Sequence, residues 1–404
     1  MTRIGFLVDQ TLLQQEGKIR SANVFHEFML GFQNHFDELV FISRVFDDIE
    51  SFAASLPADP KNLQTPYVFP ENVRVVRLPP YPNITSLFTK HAKSWPAINR
   101  ILKETLPELD ALWLNFGHPV SLRALQICEK HPQIKCAGVL RGFYSRDAKM
   151  RRKSSLVGSI AGATMTLLMD RFGKLANKRD VPCVAFGAET DRYLQDFGLK
   201  TISTRASLLK TEAIRRAKEE ENPHLEVDIV TVSRLSPEKG MDILIEAIHE
   251  IKKRHGAAVS LRIVGTGAQL PLLQQMVDEY GLQEQVRFDG YVPFGHELLI
   301  RYANARIMAI PSRTEGLPNT ATEAMALGCP VVATSVGGLP EAVGSCGTKG
   351  ILVPPEDPAA LAGVIWDLLQ DGERQASMSS AAARAGAEFT MERQVATIAE
   401  AFEL

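Results

Sequence analysis

The sequence predicts an α/β fold made of two Rossmann-like, doubly wound domains. In both halves, short apolar runs alternate with amphipathic segments of helical period, the pattern of parallel strands joined by crossover helices. A polar, charged run from Lys210 to Glu226, with Asn222-Pro223 as its hinge, divides the halves. It places one domain at residues 1–218 and the other at 219–388. At 404 residues, each half is long enough to bury its own core.

In the first half, residues 4–9 and 38–43 read as strands around an amphipathic helix near Asn23 to Phe32. The loop Gln14 to Ser21 between them carries Gly17, Lys18 and Arg20. It lacks the GxGxxG fingerprint and supports no dinucleotide site. Val73 to Leu78 is another strand. The Pro- and aromatic-rich connection Pro79 to Pro96 has the length of a segment that borders a site or an interface. Asp110 to Asn115 is a strand, followed by Gly117-His118 and a helix from Val120 to Lys130. Cys136 to Leu140 is the next strand, ending at Arg141. His118 reads either as a catalytic group or as polar loop surface. Arg141 would hold an anionic acceptor or a neighbouring carboxylate.

The second half is more regular. Val227 to Leu235 is a strand, Ser236 to Gly240 a turn, and the next helix sets Ile243, Leu244, Ala247, Ile248 and Ile251 on one face. Leu261 to Val264 is a strand ending in Gly265-Thr266-Gly267, and Val286 to Gly290 one that runs into Tyr291-Val292-Pro293. Ala305 to Ile310 is a short buried strand, after which Gly316, Pro318 and Asn319 break the pattern. Thr320 to Leu327 is a short helix stopped by Gly328 and Pro330, and Val331 to Thr334 is the following strand. A helix from Met391 to Leu404 closes the sequence.

Net charge is −2, which argues against a dedicated nucleic-acid binder. The five cysteines are scattered, odd in number and without CxxC spacing. They fit a reduced, cytoplasmic protein with neither a zinc site nor a disulfide framework. The first apolar run is too short for a signal peptide, and no stretch reaches the roughly 20 apolar residues of a spanning helix. Ser154 to Met169 is uncharged and lies inside a basic collar that runs over residues 149–179. Such a region would rest peripherally on an anionic inner membrane face, or be a buried helix with solvated ends.

Two glutamates, Glu315 and Glu323, bracket a loop-to-helix junction at what a parallel sheet makes a strand's carboxyl end. Ligands bind there, where helix N-termini present N–H groups. Two carboxylates can grip vicinal hydroxyls while the amides of Gly316 to Asn319 face anionic oxygens, a combination suited to a sugar linked to phosphate. The bland alternatives are a solvated loop carboxylate for Glu315 and a capping box, Thr320-Ala321-Thr322-Glu323, for the second. Arg234 ends a strand and Lys239 precedes a helix, so the two cations suit a diphosphate leaving group or are simply solvated.

Taken together, Val232-Ser233-Arg234-Leu235-Ser236-Pro237-Glu238-Lys239-Gly240 and the motif from Pro311-Ser312 through Glu315-Gly316, Glu323-Ala324-Met325-Ala326 and Gly337-Gly338 to Glu341 resemble family 4 retaining glycosyltransferases. The resemblance is specific over Val227 to Glu341 and looser elsewhere. It implies the type B architecture, two Rossmann-like domains facing across a cleft, with the last helix, about residues 389–404, packing back on the first domain. It also implies a nucleotide-diphosphate sugar donor, with a UDP-sugar the leading expectation, an unidentified acceptor and no metal. Carried over, Arg234 and Lys239 would bind the diphosphate, Glu315 a sugar hydroxyl and Glu323 the ribose. Gly316, Leu317, Pro318 and Asn319 would meet sugar and phosphate, Val292 the base, and Gly17 would approach the phosphates.

One departure is instructive. The family often ends the fourth strand with histidine where this chain has Asn115, five residues after Asp110. Asparagine can bond a sugar hydroxyl but cannot relay a proton, and His118 is no positional match. If the leaving diphosphate takes the acceptor's proton, no protein base is needed. Two alternatives share the fold: a nucleotide-sugar epimerase or hydrolase, and a non-catalytic nucleotide-sugar-binding protein.

Overall fold

Apolar runs become the inner strands of two largely parallel sheets in the computed structural model of the chain. The structure describes residues 1–8, 10–22, 25–55, 67–140, 156–204, 207–220, 222, 224–316, 318–344, 346–400 and 402, without the side chains of 156–162 and 188–189. Asp9, Asn23, Arg141, Pro223, Leu317 and the leading half of the basic collar, Lys149 to Lys153, lie outside the described residues. The chain divides into two compact units, Met1–Leu208 with Gln394–Leu404, and Leu209–Arg393.

The strands of the first unit are β1 (Arg3–Leu7), β2 (Thr11–Gln15), β3 (Lys18–Ser21), β4 (Glu38–Phe46), β5 (Tyr67–Val68), β6 (Arg74–Leu78), β7 (Ala111–Asn115), β8 (Lys135–Leu140), β9 (Cys183–Phe186) and β10 (Thr201–Thr204). Seven form a parallel array in the order β6-β4-β1-β7-β8-β9-β10. Such strands are covered on both faces, which is why Ala111–Leu114 and Leu39–Phe46 are buried without alternation. Phe6, Phe32, Phe41 and Trp113 meet on one face, with ring centroids 5.1–5.8 Å apart where Phe6 is a partner. Phe402, near the far end of the sequence, sets its ring edge-on to Phe36, and Gln394 accepts from the Thr204 hydroxyl.

The segment expected to be a loop, Gln14 to Ser21, is instead part of a β-hairpin. β2 continues β4's edge in parallel, and β3 returns antiparallel with Gln15 opposite Lys18. Glu16 and Gly17 form the two-residue turn with φ of 53° and 74°, the positive pair that a type I′ hairpin requires.

In the second unit, β11 (Val227–Val232), β12 (Leu261–Val264), β13 (Val286–Gly290), β14 (Ala305–Ile310), β15 (Val331–Thr334) and β16 (Gly350–Val353) form a parallel sheet ordered β13-β12-β11-β14-β15-β16. In this doubly wound order the topology reverses between β11 and β14, and the loops leaving those strands part to open a crevice. The helix Met241–His255 buries the face expected for it, with Ile243, Leu244, Ala247, Ile248 and Ile251 in the core. The charged run does not lie at the division between units. Its Thr211–Glu219 stretch is a helix that buries Ala217 and packs on the helix His296–Ala303, so the division falls ahead of it, between Leu208 and Leu209.

The helix Leu156–Lys178 buries Leu168, Met169, Phe172 and Ala176, and packs on the helix Pro119–Cys128. On the same helix Lys174 pairs with Asp170 and Lys178 with Glu129, and Arg179 just after it donates to the Leu125 carbonyl. Among the described residues, no helix is long and apolar enough to cross a membrane.

Candidate active site

The reversal point of the second sheet holds a cavity of about 330 Å³ lined by residues that follow β11 and β14. From the first loop come Ser233, Arg234 and Lys239. From the second come Ser312, Glu315, Pro318, Asn319 and Thr320.

The first loop is anchored by Leu235, which is fully buried and whose N–H donates to the Thr266 carbonyl. That anchor turns Arg234 outward, with its side chain 78% exposed and in a 3.5 Å ion pair with Glu238. Pro237–Lys239 then makes one 3₁₀ turn and directs Lys239 into the cavity.

There the Lys239 ammonium meets both Glu315 carboxylate oxygens, at 2.7 and 2.8 Å. Ser312 Oγ donates to the same carboxylate at 2.8 Å. Glu315 is therefore not a solvated loop acid: its side chain is 12% exposed and that of Lys239 18%. The two residues that separate motifs supply form one ion pair.

A second arginine, which sequence reasoning missed, holds these loops together. Arg313 forks onto Asp242 at 2.7 and 2.9 Å, bonds Glu356, and donates to the Pro237 carbonyl at 2.7 Å. Its own N–H donates to the Glu238 carbonyl. The loop also lies directly on Gly337. A side chain there would place its Cβ 1.8 Å from the Glu315 carbonyl oxygen, so the backbone approach requires glycine.

Glu323 lies on the helix Asn319–Ala326, and no capping box forms, since no side chain caps that helix. The carboxylate instead accepts from the Tyr302 hydroxyl at 3.1 Å. Burial pushes its pKa up to about 7, and the Tyr302 hydrogen bond partly opposes this. Tyr302 itself is completely buried, and burial together with the Glu323 charge raises its phenol well above the ordinary range.

The other candidates are dispersed. Gly316 is exposed on the loop. Val292 is buried in the core beside exposed Tyr291. Asn115 and His118 stand together at the carboxyl end of β7 in the first unit. His118 ends the connecting loop but is not surface: it is 5% exposed and caps the helix Pro119–Cys128 by accepting from the Val120 N–H at 3.3 Å. Gly17 sits at the hairpin tip, where the turn itself explains the glycine. Among the described residues, no group of three or more His, Cys, Asp or Glu is placed to hold a metal ion.

A model of the family described as "Glycosyl transferases group 1" matches residues 213–385. The GDP-mannose-dependent alpha-(1-6)-phosphatidylinositol monomannoside mannosyltransferase of Mycobacterium tuberculosis is 32% identical over 297 residues, covering 68% of this chain and 70% of the relative. The chain belongs to the group 1 glycosyl transferases. The protein of the same name from Mycolicibacterium smegmatis is 33% identical to this group 1 glycosyl transferase over 235 residues, and the match spans 56% of each, about half the relative's length. The crystal structure of Anabaena Alr3699/HepE in complex with UDP superposes with a TM-score of 0.65 at 20% identity, covering 99% of both chains. That likeness gives the group 1 glycosyl transferase its fold, the type B arrangement of two Rossmann-like domains.

Proposed function

We propose that this group 1 glycosyl transferase moves a sugar from a nucleotide-diphosphate donor to an acceptor, with retention at the anomeric carbon. The observation that carries the reading is the meeting of Lys239 and Glu315 in a cavity at the reversal point of the second sheet. A cation for phosphate and an acceptor for hydroxyls stand there within one ligand's length.

In this reading, exposed Arg234 swings onto the diphosphate while Lys239 turns part of its charge from Glu315 toward it. Glu315 then accepts from a sugar hydroxyl, Glu323 from the ribose, and Gly316 to Asn319 line the sugar and phosphate. Val292 backs the base from the core. The bond from the anomeric carbon to the diphosphate breaks as the acceptor oxygen arrives on the same face. The acceptor's proton passes to the departing phosphate oxygen, and the two cations stabilise the charge that develops there. The mycobacterial relatives are named for GDP-mannose and the Anabaena protein was solved with UDP, so both bases belong in the first test.

The experiment is a melting-temperature comparison with UDP, GDP, ADP and dTDP on the wild type, Lys239→Ala and Glu323→Ala. One nucleotide at about 100-fold excess over its Kd should stabilise the wild type by about 2.7 kcal/mol. Loss of one charge-assisted contact should weaken it by roughly 10- to 150-fold, from about 1.5–3 kcal/mol. Stabilisation by none of the four overturns the donor site. The anomeric configuration of the product, read by NMR with the native donor, tests retention, and an inverted product refutes it.

A further inference from the structure

Tyr302 belongs to no motif, yet it is one of the largest side chains withdrawn completely from water, and its only polar atom points at Glu323. A buried phenol that found no acceptor would be costly, and an apolar ring of the same shape would fill the space without that demand. The hydroxyl therefore has a task that packing does not set. The carboxylate it meets is also almost fully buried, on a short helix whose N-terminal turn opens into the cavity. A carboxylate carries about four acceptor positions, and a single hydrogen bond to Oε2 fixes its rotation while leaving others for a ligand.

We propose that Tyr302 is a positioning residue for the donor: its phenol locks the Glu323 carboxylate in the orientation that receives the two ribose hydroxyls of the nucleotide. This rests on Glu323 being the ribose ligand, as set out under the proposed function. The two residues come from different elements, the helices His296–Ala303 and Asn319–Ala326, so the lock also ties the register of one helix to the other. Against a prealigned carboxylate the ribose meets its acceptor without an ordering cost. Without the phenol, the carboxylate turns in its pocket and the 2′-hydroxyl loses most of its value.

The test is a cycle that pairs Tyr302→Phe with removal of the ribose 2′-hydroxyl, measured by calorimetric titration. UDP and 2′-deoxy-UDP, and GDP and 2′-deoxy-GDP, are titrated into the wild-type chain and the variant. The wild type should bind the ribonucleotide roughly 10-fold more tightly than the deoxynucleotide. The phenylalanine variant should bind the two within about 2-fold of each other, with its deoxynucleotide affinity close to that of the wild type. Glu323→Gln should behave in the same way if the carboxylate is the ligand.

Equal losses for ribo- and deoxynucleotide in Tyr302→Phe would mean that the phenol supports the fold only, which overturns the proposal. An undiminished ribose preference in the variant would overturn it as well. A wild type that binds neither ribonucleotide would remove the donor site itself. A wild type that binds both forms equally would remove the ribose role of Glu323 but leave the diphosphate site intact.

Discussion

Glu323 is a carboxylate held out of water beside a phenol, and under the proposed ribose role its charge state ties donor binding and folding stability to pH in opposite senses. Its pKa is about 7, against an ordinary 4.5. In the unliganded protein, folding therefore favours the protonated acid, and the stability this contributes is lost as pH rises from the ordinary value through about 7. A donor that needs the ionised form loses affinity as pH falls below 7, approaching about tenfold per pH unit. Nucleotide titrations and denaturant unfolding across pH 5.5–8.5 should thus run in opposite senses, and parallel trends would remove Glu323 from the binding step. The motif made Glu323 legible as a candidate ribose ligand. Its partner was not legible, because Tyr302 sits in an ordinary amphipathic helix and the contact spans 21 residues of sequence. In the same way, Lys239 and Glu315 were each readable, but a pair separated by 76 positions leaves no local signature.

At the scale of elements, the two loops of the cavity depend on Arg313. It ties the loop after β14 to the turn after β11 and to Glu356, which adopts a positive φ of 57°. Arg313→Lys keeps the charge but loses the two parallel bonds to Asp242, and lysine cannot reproduce that fork. Nucleotide Kd should rise roughly 10-fold with little change in the number of sites. An unchanged Kd would show that the loops keep their places without it. Five of the six strands of the second sheet could be read from the sequence almost to their ends, since buried parallel strands are unbroken apolar runs; the short edge strand β16 was not read. The β2–β3 hairpin could not. It lies at the sheet's margin, mixes polar and apolar residues, and carries Glu-Gly rather than the usual Asn-Gly at its turn.

For the whole molecule, the second sheet and the seven-stranded parallel array of the first each reverse their strand order once, with polar side chains at the reversal: Asn115 and His118 in one unit, Lys239 and Glu315 in the other. Hydrogen exchange with and without the stabilising nucleotide should therefore slow most in peptides covering 231–240 and 310–323. Protection confined to the first unit would place the nucleotide elsewhere. The two-domain plan was legible because strand and helix periods alternate over the full length. The division was misplaced by ten residues because a charged surface helix resembles a linker when its buried alanine face is narrow. Gln394 and Phe402, joined to Thr204 and Phe36, have a consequence of another kind. During synthesis the ribosome releases the whole second unit before it releases the residues that complete the first. The first unit is therefore begun first and finished last: a chain cut after Arg393 would hold every residue of the second unit while the first still lacked the segment that carries Gln394 and Phe402.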